Sequence, residues 1–198
     1  MNGRRVLGNS GESGQRTPAN HCEPARAPAR RDADAAPRGV TDHIHGYVYV
    51  AAHAGHIQQI YEIERLSFSE PWSVESFKKE FGDSLARYFV AAQLPRSGCA
   101  PDMIAGYCGY WSVAGEAHIT NIAVHPDLRG RGIGAGLVSA MLEDMKIHNH
   151  TAATLEVRVD NYTAIRLYEK YGFKPAGIRR KYYDHGKKDA LIMWKNNF

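Results

Sequence analysis

The strongest constraint on this chain is the stretch Arg129-Gly130-Arg131-Gly132-Ile133-Gly134-Ala135. An apolar, β-branched run from Ile119 to Val124 precedes it, and a helical pattern from Gly134 to Ile147 follows. Glycines let backbone come close to a ligand, and the free N–H groups of a helix start favour an anion. Two arginines add positive charge. Strand, glycine turn and helix in this order predict a cradle for a pyrophosphate. Gly130, Gly132, Gly134 and Gly136 recur every second residue, unlike the GxGxxG of a dinucleotide site. Ala135 follows Gly134 where a P-loop needs lysine and then serine or threonine. Three consecutive strand-like runs lead directly into the loop, whereas a dinucleotide fold begins with the strand before its glycine turn. Glu156, in the region where a ribose-binding acid belongs, stands mid-strand and not at a strand end.

The charge of the chain is unevenly placed. Seven arginines against four acids give residues 1–40 a net +3, which leaves +1 for the remainder of the overall +4. The folded part is therefore close to neutral, which argues against nucleic-acid binding by the domain itself. Residues 1–44 are rich in Arg, Ala, Pro and Gly and are read as a disordered extension; residues 45–198 are read as one folded domain. Such an extension suits an RNA-touching arm, a transit peptide or a species-specific tail, and Glu12, Glu23, Asp32 and Asp34 count against the transit peptide. No apolar run is long enough to span a bilayer, so a cytoplasmic protein without a membrane partner is expected. Cys22, Cys99 and Cys108 are widely spaced and include no CxxC pair, which fits a reducing compartment. His53 with His56 and His148 with His150 lack an accompanying set of carboxylates, so no metal is expected.

Periodicity gives the order β-α-α-β-β-β-α-β-α-β-β, an α+β fold around a mixed sheet. Tyr47–Val50 is strand-like, and His53–Leu66 is helical with Ile57, Ile60, Ile63 and Leu66 on one stripe. Pro71 breaks the following loop, Ser73 caps a second helix through Phe81, and Gly82 ends it. Strands follow at Tyr88–Gln93, Met103–Val113 and Glu116–Val124, with a turn region at Leu94–Asp102 and a tight connection at Ala114-Gly115. Beyond the glycine loop, Thr154–Val159 alternates apolar and charged residues, and Asp160-Asn161 starts a helix that Gly172 closes. Two last strands flank the turn Asp184-His185-Gly186.

Several side chains have two readings on pattern alone. Glu156 is a cross-strand carboxylate paired with Arg158 or another cation, or a base. Tyr168, at helical spacing with Ala164, Ile165 and Tyr171, is core or a proton donor. Asn161 caps its helix, contacts a ligand, or does both.

The glycine loop resembles the phosphate-binding loop of the GNAT superfamily of N-acetyltransferases, and the element order matches that fold from about Tyr47 onward. Phe68-Ser69-Glu70-Pro71-Trp72-Ser73, Asn121-Ile122-Ala123-Val124, Leu155-Glu156-Val157-Arg158, Leu167-Tyr168-Glu169, Tyr171-Gly172-Phe173 and Ile178-Arg179-Arg180-Lys181-Tyr182-Tyr183 are similar to the RimI-type ribosomal-protein-alanine N-acetyltransferases. The resemblance implies a three-layer α/β/α fold with a mostly antiparallel seven-stranded sheet and about four helices. It implies acetyl-CoA as donor, held by the backbone of Ile122, Ala123 and Val124, by Arg129, Gly130, Arg131, Gly132, Ile133, Gly134 and Ala135, and by Asn161. It implies Glu156 as general base and Tyr168 as general acid, with Trp72, Tyr182 and Tyr183 at the acceptor entrance. The acceptor implied is the N-terminal alanine of a small-subunit ribosomal protein, attacked directly in a ternary complex. Other protein N-termini or small amines, and a non-catalytic CoA-binding module, are the competing readings.

Overall fold

The computed structural model describes residues 46–93 and 103–198. The extension expected over residues 1–44 and the turn region expected at Leu94–Asp102 lie outside them. The elements are β1 (Tyr47–Ala51), α1 (Ile57–Ser67), α2 (Val74–Gly82), β2 (Ala86–Gln93), β3 (Ile104–Val113), β4 (Glu116–Val124), α3 (Ile133–Ile147), β5 (Ala152–Arg158), α4 (Tyr162–Lys170), β6 (Lys174–Tyr183) and β7 (Lys188–Asn196). Short 3-10 turns precede α1 and follow β4.

All seven strands form one sheet in the order β1-β2-β3-β4-β5-β7-β6. Every pairing is antiparallel except β4 with β5. That parallel pairing is short. It runs from Glu116 opposite Ala152 to Ile119 opposite Leu155 and then stops. Past it, β4 continues to Val124 along β3 alone, and β5 continues to Arg158 along β7 alone. The sheet thus opens into a cleft between two strands, bordered by backbone with no strand partner on the inner edges.

Two apolar clusters cover the two faces. On one face, Ile60, Ile63 and Phe77 of α1 and α2 pack on Tyr88, Val90, Tyr107 and Ala123. On the other, Ile133, Leu137 and Met141 of α3 and Tyr168 of α4 pack on Ile119, Leu155, Val157 and Met193. β4 changes its alternation on the way. Asn121 pairs with Gly109 while Ile119 pairs with Tyr110, so Thr120 is an inserted bulge residue. Ile119 faces α3, whereas Ala123 faces α1.

The structure refines the sequence reading at three places. Leu66 is 46% exposed, and Glu64, not Leu66, is buried beside the Ile57–Ile60–Ile63 stripe. Gly82 is the last residue of α2, with Asp83 after it as cap, while Ser73 caps the start by accepting Ser76 N–H at 3.1 Å. The even glycine spacing has several causes. Gly130 and Gly132 have φ of 76° and 80°, in the left-handed region. Gly136 lies inside α3, where a Cβ would overlap the Tyr49 ring.

Candidate active site

The cleft between β4 and β5 is bordered by Ile122, Ala123 and Val124 on β4 and by Glu156 on β5. Leu155 and Val157 face α3, so Glu156 between them faces the α1/α2 side. Its carboxylate is one-third exposed and pairs with Arg179 Nη1 at 3.2 Å. Arg158, the partner expected first, instead holds Asp160 at 2.6 Å and Asp184 at 3.4 Å. The backbone carbonyl of Glu156 accepts the Tyr183 hydroxyl at 2.9 Å.

Tyr168 projects from α4 into the opposite face and is buried, with its ring edge-on to Phe173 at 5.9 Å. Burial pushes its phenol above the usual tyrosine range, with smaller contributions from Tyr183 and Cys108. A phenol held protonated in this way can donate but not accept a proton.

Ile122, Ala123 and Val124 line the unpaired inner edge of β4. Ile122 and Val124 pack toward α3, and Ala123 packs toward α1. Arg129 folds back onto this strand. Its Nε donates to Val124 O at 3.1 Å and its Nη2 to Ser67 Oγ at 3.1 Å. Arg131 donates to Asp127 O at 3.2 Å. Both arginines therefore brace the loop through its own carbonyls. Gly132 caps α3 in the left-handed conformation with no side-chain cap, so the first N–H groups of a 15-residue helix beginning at Ile133, Gly134 and Ala135 are left for a ligand. Asn161 accepts Ala164 N–H at 3.2 Å and so does serve as the cap of α4.

The other side of the cleft is framed by the loop after α1 and the turn between β6 and β7. Ser69 Oγ donates to Asp184 Oδ1 at 2.9 Å, and the His185 N–H donates to Glu70 Oε1 at 3.1 Å. The His185 ring also meets Glu70, at 3.0 Å. Trp72 packs on Phe77, and its N–H donates to Glu64 Oε1 at 3.1 Å. Tyr182 is 42% exposed beneath the Arg179 guanidinium, and its ring lies 4.9 Å from that of Tyr183.

Glu64 is the residue that periodicity missed. It is 1% exposed and accepts the Tyr107 hydroxyl as well as Trp72 N–H. Burial raises its carboxyl above the usual range against the pull of those two donors. A charged residue beside the apolar stripe of α1, just ahead of a loop that ends in a proline and a tryptophan, was the available signal. Cys108 is fully buried, and its thiol is pushed far up by burial and by Asp144. That is the wrong direction for a nucleophile. Among the described residues no group of three His, Cys, Asp or Glu could hold a metal, and no helix is long and apolar enough to cross a membrane.

A split between a parallel strand pair, a glycine loop at a helix start after β4, and an ionisable group on each face are features that suit acyl transfer. The model of the acetyltransferase (GNAT) family matches residues 57–173, and the chain belongs to that family. It is an acyltransferase. It is 42% identical over 139 residues to a putative ribosomal protein bS18-alanine N-acetyltransferase of Bacillus subtilis, covering 70% of this chain and 87% of that one. It is 37% identical over 135 residues to the ribosomal protein bS18-alanine N-acetyltransferase of Salmonella typhimurium, covering 67% and 86%. The crystal structure of the ribosomal-protein-S18-alanine N-acetyltransferase from Escherichia coli superposes with a TM-score of 0.67 at 29% identity, covering 76% of this chain and 94% of that one.

Proposed function

We propose that this chain is an acetyl-CoA-dependent N-α-acetyltransferase whose acceptor is the N-terminal alanine of a small-subunit ribosomal protein. The observation that carries the reading is the β4–β5 cleft, with Glu156 on one face and Tyr168 on the other. The similarity to two ribosomal-protein-alanine acetyltransferases supports the acceptor class.

The residues suit the donor. The unpaired edge at Ile122, Ala123 and Val124 offers backbone N–H and C=O groups to an amide-bearing arm. The turn at Gly130 and Gly132 and the first N–H groups of α3 suit a pyrophosphate. Acetyl-CoA supplies the acetyl group and a thiolate leaving group. Glu156 takes the proton of the acceptor amine, directly or through one water. An α-amine has a pKa near ~8, against ~10.4 for lysine, so a carboxylate suffices at neutral pH. A backbone N–H at the end of β4 stabilises the developing oxyanion. The Tyr168 hydroxyl provides the proton for the sulfur. Cys108 is buried and unreactive, which favours direct attack in a ternary complex over an acetyl-enzyme.

The test is mass-spectrometric. The full chain is incubated with acetyl-CoA and three acceptors: an alanyl peptide copying the bS18 N-terminus, an N-terminally blocked peptide with internal lysine, and a polyamine. Acetylation of the first alone is expected. Preference for the polyamine or the internal lysine would overturn the acceptor assignment.

A further inference from the structure

Asn121 is buried at the point where β4 leaves β5, and it is not explained by packing. Its residue is 8% exposed, yet among the described residues its Oδ1 has no hydrogen-bond partner. An amide oxygen left unpaired in a core costs free energy unless something meets it. The orientation of the amide is fixed from behind. The Asn121 side chain is hydrogen-bonded to the Tyr107 phenol, and the Tyr107 hydroxyl donates to the buried Glu64 carboxylate. A phenol oxygen whose own hydrogen is committed to Glu64 can only accept, so it takes the amide N–H₂ and turns the carbonyl oxygen away.

The bulge at Thr120 sets the direction. Without it, Asn121 would share the α3 face with Ile119; with it, Asn121 lies on the α1 face with Tyr107 and Ala123. The last parallel pair is Ile119 with Leu155. The next residue of β5 is Glu156, and the bulged pair Thr120-Asn121 stands across the cleft from it. Glu156 also faces the α1/α2 side. Asn121 and Glu156 thus stand on the two banks of the cleft on one face.

We infer that Asn121 Oδ1 receives an N–H of the acceptor α-amine and thereby orients its lone pair. The inference rests on the N-terminal acceptor proposed above. An α-amine that has lost a proton to Glu156 keeps two N–H bonds and one lone pair. Fixing one N–H on Asn121, with the Cα position set by the peptide, limits where the lone pair can point. Tyr107 and Glu64 act one and two bonds further back, as positioning residues that hold the amide.

The probe is a matched pair of peptides, one beginning with alanine and one with propionyl in its place, which has the same carbon skeleton and no amine. Their affinities are measured by calorimetry on the full chain with CoA present. The wild-type chain should prefer the alanyl peptide by roughly tenfold to a hundredfold. Asn121→Leu should lower the affinity for the alanyl peptide and so narrow the preference, with Glu156 still meeting the amine, leave the propionyl affinity and the KM for acetyl-CoA unchanged, and raise the KM for alanyl peptide. Asn121→Asp, which keeps an acceptor oxygen, should retain the preference. Equal losses for both peptides would mean a structural role, and an unchanged ratio would mean no contact; either overturns the inference. If Asn121→Leu melts early, Asn121→Ala takes its place and should narrow the preference that Asn121→Asp keeps. Acetyl transfer by the wild-type chain to the alanyl peptide is measured first. Its absence would overturn the proposed acceptor, whereas transfer with an unchanged ratio would overturn the role of Asn121 alone.

Discussion

Tyr168 and Glu64 are both buried acids held toward their neutral forms, with opposite consequences. For Tyr168 the raised phenol pKa preserves a proton donor beyond the usual tyrosine value of ~10. Turnover of an alanyl peptide should therefore rise as the amine deprotonates near ~8 and show no fall before about pH 10. A descending limb below that in the kcat profile would place the donor elsewhere. Tyr168→Phe should lower kcat by about 10²- to 10⁴-fold and leave the melting temperature nearly unchanged. For Glu64 the sign concerns stability. Its folded pKa lies above the unfolded value of ~4.3, so its contribution is fully present below that pH and is lost as pH rises through the raised value. Gln at this position does not titrate. The melting temperature of Glu64→Gln relative to wild type should shift in the variant's favour from about pH 4 to pH 7. A difference that stays constant over that range would mean that the carboxyl is unperturbed.

At the scale of elements, most of the fold is legible because period and punctuation agree. Ser73, Asn161, Gly172 and the Ala114-Gly115 turn do what their residue types suggest. The parallel pairing of β4 with β5 follows from the single helix between them. What is not legible is how far that pairing runs. Nothing in Ile119–Val124 says that hydrogen bonds to β5 stop at Ile119, because the stop goes with the Thr120 bulge and with the pairing of β5 to β7, both set by register. For the same reason Asn121 reads as one residue of an apolar strand, and its position is known only once the register is. The glycine loop shows a related limit. Gly136 looks like part of the ligand motif, but its requirement comes from Tyr49, far away in sequence. Gly136→Ala should cost about 1–3 kcal/mol in urea unfolding, and a Tyr49→Val partner substitution should recover part of it. Additive losses in the double variant would show that the two sites do not meet.

At the scale of the molecule, the loop after α1 and the turn between β6 and β7 are linked by exposed polar contacts. Ser69 meets Asp184 and Glu70 meets His185 across 115 positions of sequence. Exposed contacts of this kind contribute little to stability. Asp184→Ala with Glu70→Ala should leave the melting temperature almost unmoved, while changing the KM for peptide and not that for acetyl-CoA. Equal shifts in both KM values would mean that the contact braces the whole cleft. The hairpin that carries Asp184 and His185 begins with β6, at the margin of the sheet. Nine of its ten residues are exposed, a length and openness that invite another chain to add a strand. Its pairing with β7 slips between Pro175 and Gly177 and again between Arg179 and Tyr183, and Lys181 takes a positive φ of 54°. Pro175 has no N–H to offer, the two irregularities bend the edge, and Lys174, Arg179, Arg180 and Lys181 repel a second copy of themselves. This marginal strand is thus built to refuse edge-to-edge self-association.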